Sequence, residues 1–228
     1  VGWSDTAARR NVNFLRSVDE TQLHGSGFAI TLTLKDCPPT PSDWKKLTYA
    51  WMARCSRMGM IRLHWVMEFQ RRGVPHLHCA VWFPETGAKH SPDIAATNAV
   101  IAWLQIAEKY TCDLKGQWCK KIDGVVGWFM YMAKHCSRSK HHYQRQREHL
   151  PDEWDSSPRV WGYRGEWITE DPAEADISLR QFHQLRRLVK RARIAEARQS
   201  LPLNARQVSH LRRLLKHPDP EKSAVRPI

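Results

Sequence analysis

An α+β fold is predicted, with one antiparallel sheet, helices packed on one of its faces, and a basic helical appendage at the C-terminal end. Three observations predict it. Segments with strand and helix periodicity follow the order strand, helix, strand, strand, helix, strand, which is the ferredoxin-like (RRM-like) order. The two central strand segments meet at Arg71-Arg72-Gly73, a turn signal, and so read as a β-hairpin. The positive charge is uneven: residues 176–217 hold eleven Lys and Arg against Asp176 and Glu196, most of the chain's net charge of +13.

The elements follow in order. Residues 6–18 read as a short basic helix within an N-terminal arm, residues 1–26. Phe28-Ala29-Ile30-Thr31-Leu32-Thr33-Leu34 alternates apolar residues with threonines, as a half-buried strand does. Cys37-Pro38-Pro39-Thr40-Pro41 breaks that strand, and Ser42 is placed as the N-cap of a helix to Met58. The hairpin spans 61–83. Ser91 and Pro92 open a helix to Tyr110. A short strand at 112–121 precedes a helix around Tyr131, with Asp123 as N-cap. The sheet domain is thus residues 27–140, and residues 141–175 are expected to form an extended connection packing on it. Leu179, Phe182, Leu185, Leu188 and Val189 recur at helical spacing over 177–198, and a second helix is expected over 204–216. Together they make a basic helical region, residues 176–217. The Pro-rich tail, residues 218–228, is expected to be disordered.

The most informative stretch is Gly73-Val74-Pro75-His76-Leu77-His78-Cys79. Side chains on a strand alternate faces, so His76 and His78 point the same way. With Arg72-Gly73-Val74 as the loop, Gln70 faces His76 and Glu68 faces His78. A shift of one residue would set apolar Met67 and Phe69 among the histidines, which burial disfavours. Glu68, His76 and His78 are therefore candidate metal ligands, with Gln70 in reserve. Two imidazoles and one carboxylate leave coordination positions open, which suits Mg²⁺ or Mn²⁺ taking phosphate oxygens. The plain alternative is a half-exposed histidine pair that binds nothing.

The helix around Tyr131 sets Tyr131, Lys134 and His135 on one face. A tyrosine hydroxyl is a weak nucleophile near neutral pH, and a neighbouring ammonium stabilises both its phenolate and a phosphate gaining charge. The plain alternative is a core tyrosine beside a snorkelling lysine.

Taken together, these motifs resemble the HUH endonucleases, and within them the single-tyrosine rolling-circle replication initiators of filamentous phages and plasmids. The likeness covers residues 25–140. Phe28 to Leu34 looks like the family's Thr-containing first motif, Pro75-His76-Leu77-His78 like its metal motif, and Tyr131-Met132-Ala133-Lys134 like its nucleophile motif. Glu68 stands at the distance the family uses for its third ligand. Arg159-Val160-Trp161-Gly162-Tyr163-Arg164-Gly165-Glu166-Trp167 looks like the region that follows the nuclease core. The resemblance implies metal-dependent nicking of single-stranded or hairpin origin DNA, a 5′-phosphotyrosine link to Tyr131, a free 3′-hydroxyl, and strand joining. Two-tyrosine initiators differ, because positions 127 and 135 are here Gly127 and His135. A single nucleophile is implied, and Tyr143 is the one other tyrosine that could substitute for Tyr131. Relaxases and single-strand transposases share the same site, and a nucleic-acid-binding protein without catalysis is the rival of another class.

Composition supports a nucleic-acid partner: the sequence pI is about 9.8. Arg186, Arg187, Lys190, Arg191, Arg193, Arg212 and Arg213 are the expected phosphate contacts. No Walker-type Gly-x-x-x-x-Gly-Lys occurs, so a host helicase is expected alongside a host polymerase. No apolar run of about 18 residues occurs, so no membrane partner is expected. No secretory signal is visible in these residues, and the six cysteines form no Cys-x-x-Cys pair. The cytoplasm of a bacterial host is the expected setting. No feature sets an oligomeric state. Of eleven tryptophans most are expected in the core, and one or two stacked on bases.

Overall fold

The computed structural model describes residues 3–136, 151, 154, 158–171 and 176–199. The chain divides into two compact units, Val1–Asp171 and Pro172–Ile228. In the first, five strands form one antiparallel sheet: β1 (Ser26–Leu32), β2 (Arg62–Phe69), β3 (Pro75–Phe83), β4 (Trp118–Lys121) and β5 (Trp161–Gly165). Their order is β4-β1-β3-β2-β5, the ferredoxin-like order with one strand added at the β2 edge. β3, which carries both histidines, is therefore the central strand.

The added strand comes from the segment read as an extended connection. Two glycines let it lie flat on β2. A Cβ on Gly162 would meet the Trp65 indole at 2.9 Å. Gly165 has φ +82°, and a Cβ there would stand 2.0 Å from the Ile61 carbonyl oxygen, so only glycine fits.

Two helices cover the face that bears Trp65, Met67 and Leu77. α2 (Pro41–Arg57) buries Trp44, Leu47, Trp51 and Cys55, and α3 (Pro92–Ile106) buries Ala95, Ala99, Ala102 and Trp103. The small alanines bring α3 close enough for Trp51 Nε1–H to donate to the Ala99 carbonyl at 2.8 Å. Thr40, rather than Ser42, caps α2: its hydroxyl accepts from the Asp43 N–H at 3.1 Å. Pro41 takes the first helical position, where its missing N–H costs no bond. Ser91 caps α3 as expected. That helix stops at Ile106, and a 3-10 turn, Glu108–Tyr110, replaces its last turn. β4 is shorter than its expected span because Asp113 caps a further 3-10 turn, Leu114–Gly116.

The opposite face, with the histidines, receives α1 (Asp5–Ser17) and α4 (Val125–Cys136). α1 buries Ala8, Asn11, Val12 and Leu15, and just before it Trp3 Nε1–H reaches the Met67 carbonyl at 3.0 Å. Phe14 stacks on Tyr163 with centroids 4.0 Å apart, and on His64 at 5.8 Å. α4 begins at Val125. Its first bond runs from the Trp128 N–H to the Gly124 carbonyl, one residue after Asp123, whose carboxylate lies 3.7 Å from Lys120 Nζ.

The hairpin turns one residue earlier than expected. Its loop is Arg71-Arg72-Gly73, closed by Gln70 N–H to Val74 carbonyl and Gly73 N–H to Gln70 carbonyl, both 2.9 Å. A three-residue loop of this kind needs a left-handed third residue, and Gly73, with φ 78°, supplies it. Moving the loop by one residue moves the pairing by two. Glu68 therefore faces His76, and Val66 faces His78. The period of two leaves every side chain on its expected face.

In the second unit, α5 (Leu179–Gln199) lies close to the expected 177–198. The helix expected at 204–216, the tail after it, and Tyr143 lie outside the described residues. Among the described residues, no helix is long and apolar enough to cross a membrane.

Candidate active site

Glu68 projects from β2, and His76 and His78 from β3, all toward the face that bears α1 and α4. Glu68 and His78 are buried, at 2% and 7% exposure, and His76 is half-buried. One donor atom from each of the three lies within 4.8 Å of the other two. His76 Nε2 and His78 Nε2 stand 2.9 Å apart, and His78 Nε2 is 3.6 Å from Glu68 Oε2. Adjacent ligands around an octahedral ion with bonds near 2.1 Å lie about 3 Å apart. The two imidazoles stand at that separation, the carboxylate is somewhat further off, and the mix of imidazole and carboxylate suits a divalent ion. Gln70 Oε1 accepts from Arg72 Nε at 2.7 Å. Arg72 also donates to the carbonyls of Leu34 and Lys35, which pins the hairpin loop to the end of β1.

The neighbouring strand contributes a residue that sequence reading did not assign to the site. Thr31 of β1 pairs with His78, and its hydroxyl lies 3.2 Å from His78 Nδ1. If His78 Nδ1–H donates to Thr31 Oγ1, the lone pair of Nε2 is left to point at the cluster. A partner on the second ring nitrogen is how ligating histidines are usually oriented. The signal lies in the alternation of the Thr-bearing strand, but it becomes readable only once β1 and β3 are known to pair.

His64, further along β2 on the same face, plays another part. It is wholly buried under α1, 2.7 Å from Asn11 Oδ1 through Nε2. Burial pushes its pKa down to about 3, so it is neutral and donates to the amide oxygen.

α4 brings Tyr131 to the cluster. Trp128, Phe129 and Met132 are buried and anchor the helix, while Tyr131 is 41% exposed. Its ring meets His78 edge-on, with centroids 6.0 Å apart. Trp128 flanks it at 5.3 Å. The alternative of a core tyrosine is therefore overturned. Lys134 lies one turn further along α4.

Of the expected phosphate contacts, Arg186, Arg187, Lys190, Arg191 and Arg193 lie on α5. Arg187 and Arg191 are exposed, and Arg186 rests over the Phe182 ring at 5.5 Å. Arg212 and Arg213 lie outside the described residues.

Residues 27–142 match the family model described as replication-associated protein ORF2/G2P. The chain is 45% identical to a putative replication protein of Xylella fastidiosa strain 9a5c over 206 residues, covering 87% of this chain and 71% of that protein. It is 44% identical to the replication-associated protein G2P of Pseudomonas phage Pf3, covering 87% of this chain and 70% of that one. A putative replication protein of Xylella fastidiosa strain Temecula1 is 43% identical, with 87% and 76% covered. No solved structure matches the chain significantly. The family model spans four of the five strands, the donor cluster and the tyrosine helix together, and the chain belongs to the replication-associated protein ORF2/G2P family.

Proposed function

We propose that this protein initiates rolling-circle DNA replication by nicking one strand at an origin and later rejoining it, with Tyr131 as nucleophile. One observation carries the reading: three metal-type donors within 4.8 Å of one another lie beneath an exposed tyrosine ring. Glu68, His76 and His78 would hold Mg²⁺ or Mn²⁺, which polarises the scissile phosphate when bound. The Tyr131 phenolic oxygen bonds to phosphorus as the bond from phosphorus to the 3′ oxygen breaks. The phenol's proton passes to that departing oxygen through solvent. The products are a 5′-phosphotyrosine and a free 3′-hydroxyl. The reverse attack by a 3′-hydroxyl rejoins the strand, and no nucleotide is consumed, because each step exchanges one phosphodiester for another.

The remaining residues prepare this exchange. Thr31 holds the His78 ring, and Glu68 brings a buried carboxylate to the cluster. Lys134 offsets charge on the phosphate, and the arginines of α5 grip the backbone of the DNA. The relatives' names favour replication over conjugative transfer or transposition, which use the same chemistry. The reading places the protein in the cytoplasm of a bacterial host, working with a helicase and a polymerase supplied by that host.

The test mixes the purified protein with single-stranded circular DNA of its own replicon and Mn²⁺. A denaturation-resistant adduct should form and map to Tyr131. Tyr131→Phe should bind the DNA and give no adduct. An adduct that persists in Tyr131→Phe overturns the reading.

A further inference from the structure

Eleven tryptophans are distributed over this chain, and ten of them are buried or half-buried. Trp118 is 48% exposed. Leaving an indole in water forfeits more apolar burial than leaving any other side chain there, so a single uncovered one invites a physical reason. Its position is informative. Trp118 pairs with Thr31 across β4 and β1, and Thr31 pairs with His78 across β1 and β3. The three side chains form one row on one face of the sheet, and the indole lies two strand spacings, about 10 Å, from the metal-type cluster. Among the described residues, none makes a hydrogen bond or ring contact with it.

We propose that Trp118 is a stacking platform for a base of single-stranded DNA, next to the phosphate held at the cluster. This rests on the reading that a strand lies across Glu68, His76 and His78. An indole face accepts any base, and its place in the same cross-strand row keeps it near the reacting phosphate. The neighbouring residues choose this occupant over a second copy of the chain. All four residues of β4 are exposed at the sheet edge, and two of them are lysines, Lys120 on the face of Trp118 and Lys121 on the other. Lysines on an edge strand oppose strand addition and attract a phosphate backbone. Trp118 thus supplies a contact that the bases make, beside Lys120, which the phosphates meet.

The test uses the full chain without metal and measures binding of two probes: a short oligothymidylate, and an abasic strand of equal length and charge. Wild type should prefer the oligothymidylate. Trp118→Ala should lose roughly five- to hundredfold in affinity for it, with little change toward the abasic strand. Trp118→Phe should recover part of the loss. The substituted residue is exposed, so the fold should stay intact by circular dichroism. An unchanged preference in Trp118→Ala overturns the proposal, as does a change in oligomeric state with the preference retained. The adduct assay on Tyr131→Phe is separate: a persisting adduct there would sink the nicking reading whatever Trp118 does.

Discussion

Replacing His64 by Gln should make the protein less sensitive to acid, by an amount the structure sets. His64 is wholly buried beneath α1, and its pKa is held down to about 3. In the unfolded chain it titrates near 6.5. Between these values the unfolded state takes up a proton that the folded state refuses. Stability is therefore complete above about pH 6.5 and falls as the pH drops toward 3. From pH 7.5 to pH 5.0 the loss from this one group is about 2 kcal/mol. That figure depends on the unfolded protonation and changes little for any native value below about 4. It is a sizeable share of a domain's usual stability of about 5–15 kcal/mol. A glutamine side chain keeps an N–H for Asn11 and carries no titrating group. The assay is urea unfolding of both proteins at the two pH values. Other titrating groups are common to both chains and cancel in the difference. His64→Gln should be the less stable protein at pH 7.5, and its stability should fall about 2 kcal/mol less on going to pH 5.0. Equal falls would show that His64 is protonated in the native protein, and that its environment has been misjudged.

Two more predictions follow from the site and from α5. His76→Ala and His78→Ala should each weaken Mn²⁺ binding at least tenfold by calorimetry, with the fold retained; wild-type affinity in both would remove the ligand assignment. Replacing Arg187 and Arg191 by Gln should make the logarithmic dependence of single-stranded DNA affinity on salt shallower by about 1.4, or about 0.7 for each lost phosphate contact. An unchanged slope would move the DNA path off α5.

The relation between Thr31, His78 and Trp118 is a property of pairing rather than of any one segment. Each residue is ordinary in its own strand. Only the order β4-β1-β3 sets a hydroxyl against the His78 imidazole and an uncovered indole in line with both. Tyr131 shows the same division of labour. Its helix is legible from apolar spacing, but its nearness to His78 comes from the way Trp128, Phe129 and Met132 anchor α4 on the histidine face.

Local chemistry in the sequence determined the strand and helix order, the caps at the Ser91 end of α3, and the shared face of Glu68, His76 and His78. These follow from periods of 2 and 3.6 residues, which act over a few neighbours. The tertiary structure decided which residues meet across the sheet: Glu68 opposite His76 rather than His78, because Gly73 alone could take the left-handed loop position. It also decided that residues 161–165 join the sheet as β5, that α1 seals His64 from water, and that one tryptophan of eleven stays uncovered. Burial and pairing depend on residues distant in the chain, so no local period encodes them.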